Sequence, residues 1–291
     1  FDFNDDCNIY GFELYLDDVV IESNYWSDGV GTELSIGTED NYVCKKIGLL
    51  YMSSGEYTLT ANVWDKANNI TTKEITFTIE RTNTSTYEGI TYDKTTGEFL
   101  KDDKTVYLWH LNDSGAEVNN TNATISEYTN AIGGLGEGCG SSIYTSNTIP
   151  LDVANNAFTI EYWIKGSEKY DNPYLYFDKV YSFEMYNGYV NLSYEEADRT
   201  NIISFSYQPI PNDGEWHYST LVYCKDYVAR YIDGVLVDYD DTIDIELNNS
   251  DSELHMNLDY SDAVDEIRIS NEARSADEIA EYYKVAKEII E

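Results

Sequence analysis

The sequence predicts an all-β protein of two β-sandwich units that ends in a single α-helix. Three observations carry this expectation. Short segments alternate apolar and polar residues with period two along most of the chain, as half-buried strands do. They are joined by tight turns, Asp17-Asp18, Asn187-Gly188 and Asp233-Gly234 among them, of the residue types that two-residue hairpins favour. Only the stretch from Ser275 onward repeats its apolar residues with helical spacing.

The elements follow in order. "GFELYLDDVVI", from Gly11, is a strand pair turning at Asp17-Asp18. "YTLTANV" (57–63) places Tyr57, Leu59, Ala61 and Val63 on one face, and "EITFTIE" (74–80) does the same with Ile75, Phe77 and Ile79. The polar run "WDKANN" between them makes an antiparallel pair with one buried face, and Asp65 and Asn69 bond within their own turn. These strands make up a first unit, 1–81. Residues 82–104 lack a sustained pattern and read as a connector with a short strand at "GITYD". The second unit, 105–291, has strands at "TVYLWHL", "AFTIEYWIKG", "SFEMYNGYVNLSY", "NIISFSY", "HYSTLVYC", "ARYIDGVLVDY", "ELHMNL" and "VDEIRIS". Many short strands with tight turns indicate a sandwich or jelly roll. In the terminal segment, Ser275 and Glu278 form a capping box, and Ile279, Tyr283, Ala286 and Ile290 make a stripe that should pack on the sandwich.

Two resemblances sharpen this reading. "GEYTLTANVWDKANNITTKEITFTI" resembles the last two strands of bacterial immunoglobulin-like domains, with Asn68 where that family often has Gly. "FTIEYWIKG", "GEWHYSTLVY", "ARYIDGVLV" and "DEIRISNEARSADEIAEYY" resemble, in order and spacing, the blocks of the concanavalin A-like, laminin-G-like jelly rolls. The implied fold is an immunoglobulin-like β-sandwich followed by a jelly roll with one C-terminal helix. The second resemblance further implies a structural calcium where the start of the jelly roll meets its last strand, at Asn112 or Asp113 and at Asp265. The family includes sugar-binding modules, adhesion modules and spacers, so fold alone does not name a ligand.

Composition narrows the function. Asp plus Glu number 54 against 18 Lys plus Arg, a net charge of −36. Such a surface repels nucleic acid and anionic membranes and suits neutral ligands, cationic partners or calcium. No window is apolar enough to insert in a membrane. The polar opening "FDFNDDC" reads as the start of a mature fragment, and the setting expected is extracellular, secreted or attached to a cell surface. Cys7, Cys44, Cys139 and Cys224 are widely spaced. That permits one bridge per unit, Cys7–Cys44 and Cys139–Cys224, with free thiols as the alternative.

No catalytic set is recognisable. "DTIDIEL" puts Asp244 and Glu246 on one face of a strand. However, the jelly-roll glycosidases carry their nucleophile and acid/base about 5–5.5 Å apart on one acidic strand, and Thr242 stands where the first carboxylate would be. The pair also follows the Asp233-Gly234 hairpin instead of preceding it. His110, His217 and His255 are isolated in sequence, and His110 and His217, each beside a Trp, read as packed imidazoles. Trp163, Trp216 and Trp109 read as structural, and Trp26 lies in a polar loop.

The hairpin turning at Asn187-Gly188 is more informative. Its geometry pairs Tyr186 with Tyr189 and Glu184 with Asn191, and leaves Phe183, Met185, Val190 and Leu192 for the core. With Tyr174 and Tyr176 of "PYLYFD", the polar face would hold rings among amide and carboxylate groups, the composition that stacks on and hydrogen-bonds to a sugar. The expectation is a non-catalytic carbohydrate-binding or adhesion segment of a larger bacterial surface protein, with a glycan or cell-surface partner. The alternative is a structural stalk or protein-interaction segment, with Tyr serving only as a good strand residue. A glycoside hydrolase is the third reading.

Overall fold

The computed structural model describes residues 9–25, 49–65, 67–80, 92–93, 96–111, 123–125, 128–129, 138–139, 143–145, 149–151, 157–166, 174–178, 181–186, 189–196, 199–206, 211, 213–242, 250–257 and 261–290. The chain divides into two compact units, 1–84 and 85–291.

In the first unit β1 (Ile9–Leu16), β2 (Val19–Tyr25), β3 (Gly55–Asp65) and β4 (Ile70–Ile79) form one antiparallel sheet, in the order β2-β1-β3-β4. Asp17 and Asp18 take the left-handed backbone (φ 48° and 69°) that a two-residue hairpin turn requires, and the Asp17 carboxylate accepts the Thr58 N–H at 2.6 Å. Phe12, Leu14 and Leu16 lie opposite Val63, Ala61 and Leu59, and Tyr57 stacks on Phe77 across β3 and β4. Met52, after a short 3-10 turn at Leu49–Tyr51, is buried. Gly11 is required here, because a Cβ would sit 2.7 Å from the Trp64 ring. The β3–β4 turn closes as its residues suggest: Asp65 accepts the N–H groups of Ala67 and Asn69, and Asn68 takes φ 61°, where the resembling family favours Gly. The described residues of this unit form one sheet. The second sheet of an immunoglobulin-like sandwich is not among them.

The second unit holds the remaining strands: β5 (Thr105–Trp109), β6 (Ala123–Ile125), β7 (Tyr128–Thr129), β8 (Gly138–Cys139), β9 (Ile143–Thr145), β10 (Ile149–Leu151), β11 (Ala157–Gly166), β12 (Tyr174–Asp178), β13 (Tyr181–Tyr186) and β14 (Tyr189–Glu196). After them come β15 (Arg199–Ser206), β16 (Trp216–Cys224), β17 (Tyr227–Ile232), β18 (Val235–Asp240), β19 (Ser250–Asn257), β20 (Ser261–Ser270) and the helix α1 (Ala276–Ile290). They build two antiparallel sheets. One runs β15-β14-β13-β12-β19-β9-β6 with β10 on β19, and the other runs β18-β17-β16-β11-β20-β8-β7 with β5 on β20.

β11 is central to the second sheet and is buried on both faces. Phe158, Ile160, Tyr162 and Ile164 are the apolar face, yet Thr159, Glu161 and Trp163 on the other side are equally buried. The cover is α1. Its capping box forms as expected: Glu278 N–H points to the Ser275 hydroxyl, and the Glu278 carboxylate accepts the Ser275 N–H at 2.8 Å. Among its residues of described burial, Ile279, Tyr282 and Ala286 are buried, whereas Tyr283 is half-buried. The helix passes so close to the β17–β18 turn that a Cβ on Gly234, itself at φ 76°, would come within 3.1 Å of Ala280.

One expectation is corrected, and one choice left open by the sequence is decided. The stretch assigned to a connector belongs, from Tyr92 onward, to the second unit's packing. Tyr92 and Phe99 bridge one another and are buried, and Phe99 stacks on Tyr282, because these rings fill the space beneath α1. A Cys139–Cys224 bridge is not formed, since the Cys224 thiol is free. Cys139 lies beside Val264, which pairs with Ile164 at one end of β11, while Cys224 pairs with Ala157 at the other. At about 3.3 Å per strand residue the two are far beyond the roughly 4.4–6.8 Å that a disulfide spans. Cys7 and Cys44 lie outside the described residues.

Candidate functional site

A jelly roll offers two outer faces to a ligand. On the β11 sheet that face is closed. Trp163 Nε1 donates to the Tyr282 hydroxyl at 2.8 Å, and that hydroxyl donates to the Gly97 carbonyl at 3.1 Å. Trp163 is thus held under α1, 1% exposed, and cannot serve as a ligand platform. Beside it lies a buried ion network. Glu161 receives Arg268 through Nε (2.7 Å) and Nη2 (2.8 Å), pairs with Arg274 Nε at 3.1 Å, and accepts the Tyr218 hydroxyl at 2.5 Å. Arg274 also reaches Asp102 at 2.9 Å, and the Arg268 guanidinium lies 3.9 Å from the centre of the Phe99 ring. Burial pushes the Glu161 carboxyl up, but the two guanidiniums outweigh it and hold it below its usual range. These groups are fully enclosed, so their work is to dock α1 and the 92–105 segment.

His217 and His110 are structural links as well. His217 stands between Asp233 (2.8 Å at Nδ1) and Asp213 (3.1 Å at Nε2), and Asp233 also accepts the Tyr218 N–H, which fixes the β17–β18 turn. His110 Nδ1 lies 2.7 Å from Glu266 Oε1, while Glu266 Oε2 accepts the Phe99 N–H at 2.8 Å. Burial raises the Glu266 carboxyl above its ordinary value, over the opposing pull of His110 and the Phe99 N–H. A fully buried acid in this position has no access to a polymer bond.

Among the described residues Glu98, His110 and Glu266 are a group with metal-binding donors within 4.8 Å of one another. One nitrogen and two carboxylates do not match the six to eight oxygens that calcium takes. Of the calcium residues expected from resemblance, Asp265 is fully buried and its Oδ1 accepts the Glu266 N–H at 2.9 Å. Asn112 and Asp113 lie outside the described residues, as do Asp244, Glu246 and Trp26.

All six residues singled out from the sequence lie on strands of the other sheet, and backbone register gives them one parity, so they share one face of it. Tyr186 pairs with Tyr189 and Glu184 with Asn191. Leu175 pairs with Met185, so Tyr174 and Tyr176 share the parity of Tyr186 and Glu184. The alternate positions, Phe183, Met185, Val190 and Leu192, are the apolar face. β15 continues both rungs, with Ser206 opposite Tyr189 and Ser204 opposite Asn191.

Residues 137–280 match the family model of the concanavalin A-like lectin/glucanases superfamily, and the two sheets with their closing helix have that jelly-roll fold. Solved structures of similar fold include domain 4 of AbnA, a GH43 extracellular arabinanase from Geobacillus stearothermophilus, in complex with arabinotriose. It is 16% identical with a TM-score of 0.46, covering 62% of this chain and 98% of that one. The binding domain of Paraclostridial Mosquitocidal Protein 1 is 14% identical at a TM-score of 0.45, covering 62% and 52%. That of Botulinum Neurotoxin DC, in complex with SialylT, is 14% identical at 0.44, covering 62% and 51%. The chain spans about half the length of these two toxin structures. No curated protein matches it.

Proposed function

We propose that the second unit is a non-catalytic carbohydrate-binding module working outside the cell, and that the first unit is an immunoglobulin-like spacer. The observation that carries this reading is the register of β12, β13 and β14, which gathers Tyr174, Tyr176, Glu184, Tyr186, Tyr189 and Asn191 on one face while α1 is committed to the opposite sheet. Rings that stack on sugar C–H faces, beside amide and carboxylate groups that fix hydroxyls, are what glycan recognition needs. A net charge of −36 favours neutral or cationic ligands over sulfated or phosphorylated ones. The match to a superfamily of lectins and glucanases supports the ligand class.

The test is a broad glycan array probed with the purified chain and with a Tyr186→Ala, Tyr189→Ala double variant. Binding by the parent that the double variant loses, with its melting temperature unchanged, is the expected result. Silence of the folded parent across the array supports the stalk reading instead, and hydrolysis sensitive to Glu246→Gln supports the glycosidase. A calcium ion held by Asn112 or Asp113 together with Asp265, all oxygen donors, belongs to the same proposal as a structural pin. Its removal by chelator is expected to lower the melting temperature of the second unit, and re-addition of calcium to restore it.

A further inference from the structure

The register extends the polar face beyond the six residues, toward a histidine that stands alone in the sequence. Tyr176 on β12 pairs with His255 on β19, His255 pairs with Tyr144 on β9, and Tyr144 pairs with Thr124 on β6. On the other side, Leu175 opposite Met185 sets Tyr176 beside Glu184, which pairs with Asn191. Asn191, Glu184, Tyr176, His255 and Tyr144 therefore occupy one rung that crosses five neighbouring strands. The next rung carries Tyr189, Tyr186 and Tyr174 in line, followed by Asn257 opposite Tyr174.

The dimensions define the ligand. Five strands are four spacings, about 19 Å at roughly 4.8 Å each, and a pyranose or furanose ring is about as wide as one spacing. The two rungs lie two residues apart along each strand, about 6.7 Å, so one chain laid across the strands can meet both. Rings run the length of this track, from Tyr189 through Tyr186, Tyr174 and Tyr176 to Tyr144 at the far end, with Asn191, Glu184 and His255 among them. A pocket for one terminal sugar would instead gather its rings at one end.

Resting on the carbohydrate-binding reading above, we propose that His255 and Tyr144 complete the site. Its ligand is then a linear neutral oligosaccharide of about four units, lying across the strands from β14 to β9.

The experiment is calorimetric titration with xylo-, cello-, laminari- and arabino-oligosaccharides of one to six units, using the parent chain, Tyr144→Ala, Tyr144→Phe and His255→Ala, each checked for an unchanged melting curve. In the series that binds, affinity is expected to rise about tenfold or more between two and four or five units and then level off. Tyr144→Ala and His255→Ala should each remove most of that gain while leaving the affinity for two-unit ligands unaltered, and Tyr144→Phe, which keeps the ring, should retain it. Affinity that saturates at one or two units, or long-ligand binding indifferent to Tyr144→Ala and His255→Ala, overturns the extended track but leaves the binding reading standing, provided Tyr186→Ala with Tyr189→Ala still abolishes binding. Absence of binding at every length in every series overturns both.

Discussion

Replacing Glu161 by Gln keeps the shape of the side chain and removes its charge. Glu161 is 0% exposed and Arg268 and Arg274 are 1% and 2% exposed, with the Arg268 Nε contact at 2.7 Å and the Arg274 Nε contact at 3.1 Å. The substitution therefore leaves two guanidiniums in a buried layer with one fewer carboxylate, Asp102 and Glu278 being the other acids near Arg274. Breaking a buried ion pair of this kind costs about 3–5 kcal/mol, most of it the penalty of the charge left behind. For a unit of this size each kcal/mol moves the melting temperature by about 2–4 °C, so the expected fall is roughly 6–20 °C. Scanning calorimetry of the whole chain measures it, with the exposed Glu215→Gln as a control that should move the transition by no more than about 0.5 kcal/mol. The loss should also narrow in acid. The folded-state value of Glu161 is depressed, so its contribution is present above the ordinary carboxylate range and disappears as pH falls through the depressed value. A shift below about 2 °C at neutral pH would refute the assignment of this network as the dock for α1.

Trp163→Phe deletes the donor that meets the Tyr282 hydroxyl at 2.8 Å and should cost about 1–3 kcal/mol in urea unfolding. Ser275→Ala removes the helix cap and should cost about 1 kcal/mol by the same measurement. Gly234→Ala meets both an unfavourable φ of 76° and the Ala280 backbone at 3.1 Å, and should destabilise by more than about 1 kcal/mol. For His217, burial opposes the charged form, but Asp233 and Asp213 overcome it and raise the value. Its contribution is therefore full below the ordinary histidine value of 6.5 and is lost as pH rises through the raised one. The stability difference between the parent and His217→Gln should accordingly shrink from pH 6 toward alkaline pH in a series of thermal melts.

Much of the second unit is legible in the sequence because period-two alternation and two-residue turns together fix register. Tyr186 opposite Tyr189 and Glu184 opposite Asn191 follow from "SFEMYNGYVNLSY" alone, and the structure has those pairs. The cap of α1 is readable for the same local reason. What alternation cannot convey is which polar face another element will cover. Glu161 and Arg268 alternate away from the apolar residues of their strands, as solvated residues do, yet both are buried because α1 and the 92–105 segment lie over them. The helix stripe shows the same limit. Spacing from Ile279 admits Tyr282 and Tyr283 equally, and Tyr282 takes the buried place, where it meets the Trp163 N–H. His255 could not be placed from sequence because its neighbours, Tyr176 and Tyr144, come from distant strands.

Hydroxyl-radical footprinting of the folded chain, with and without an oligosaccharide selected on the array, tests the proposed recognition face most directly. Tyr186 and Tyr189 should be oxidised readily in the free protein and protected by ligand, while Tyr282 stays unmodified in both states. Tyr186 and Tyr189 as resistant as Tyr282 in the free protein would contradict it.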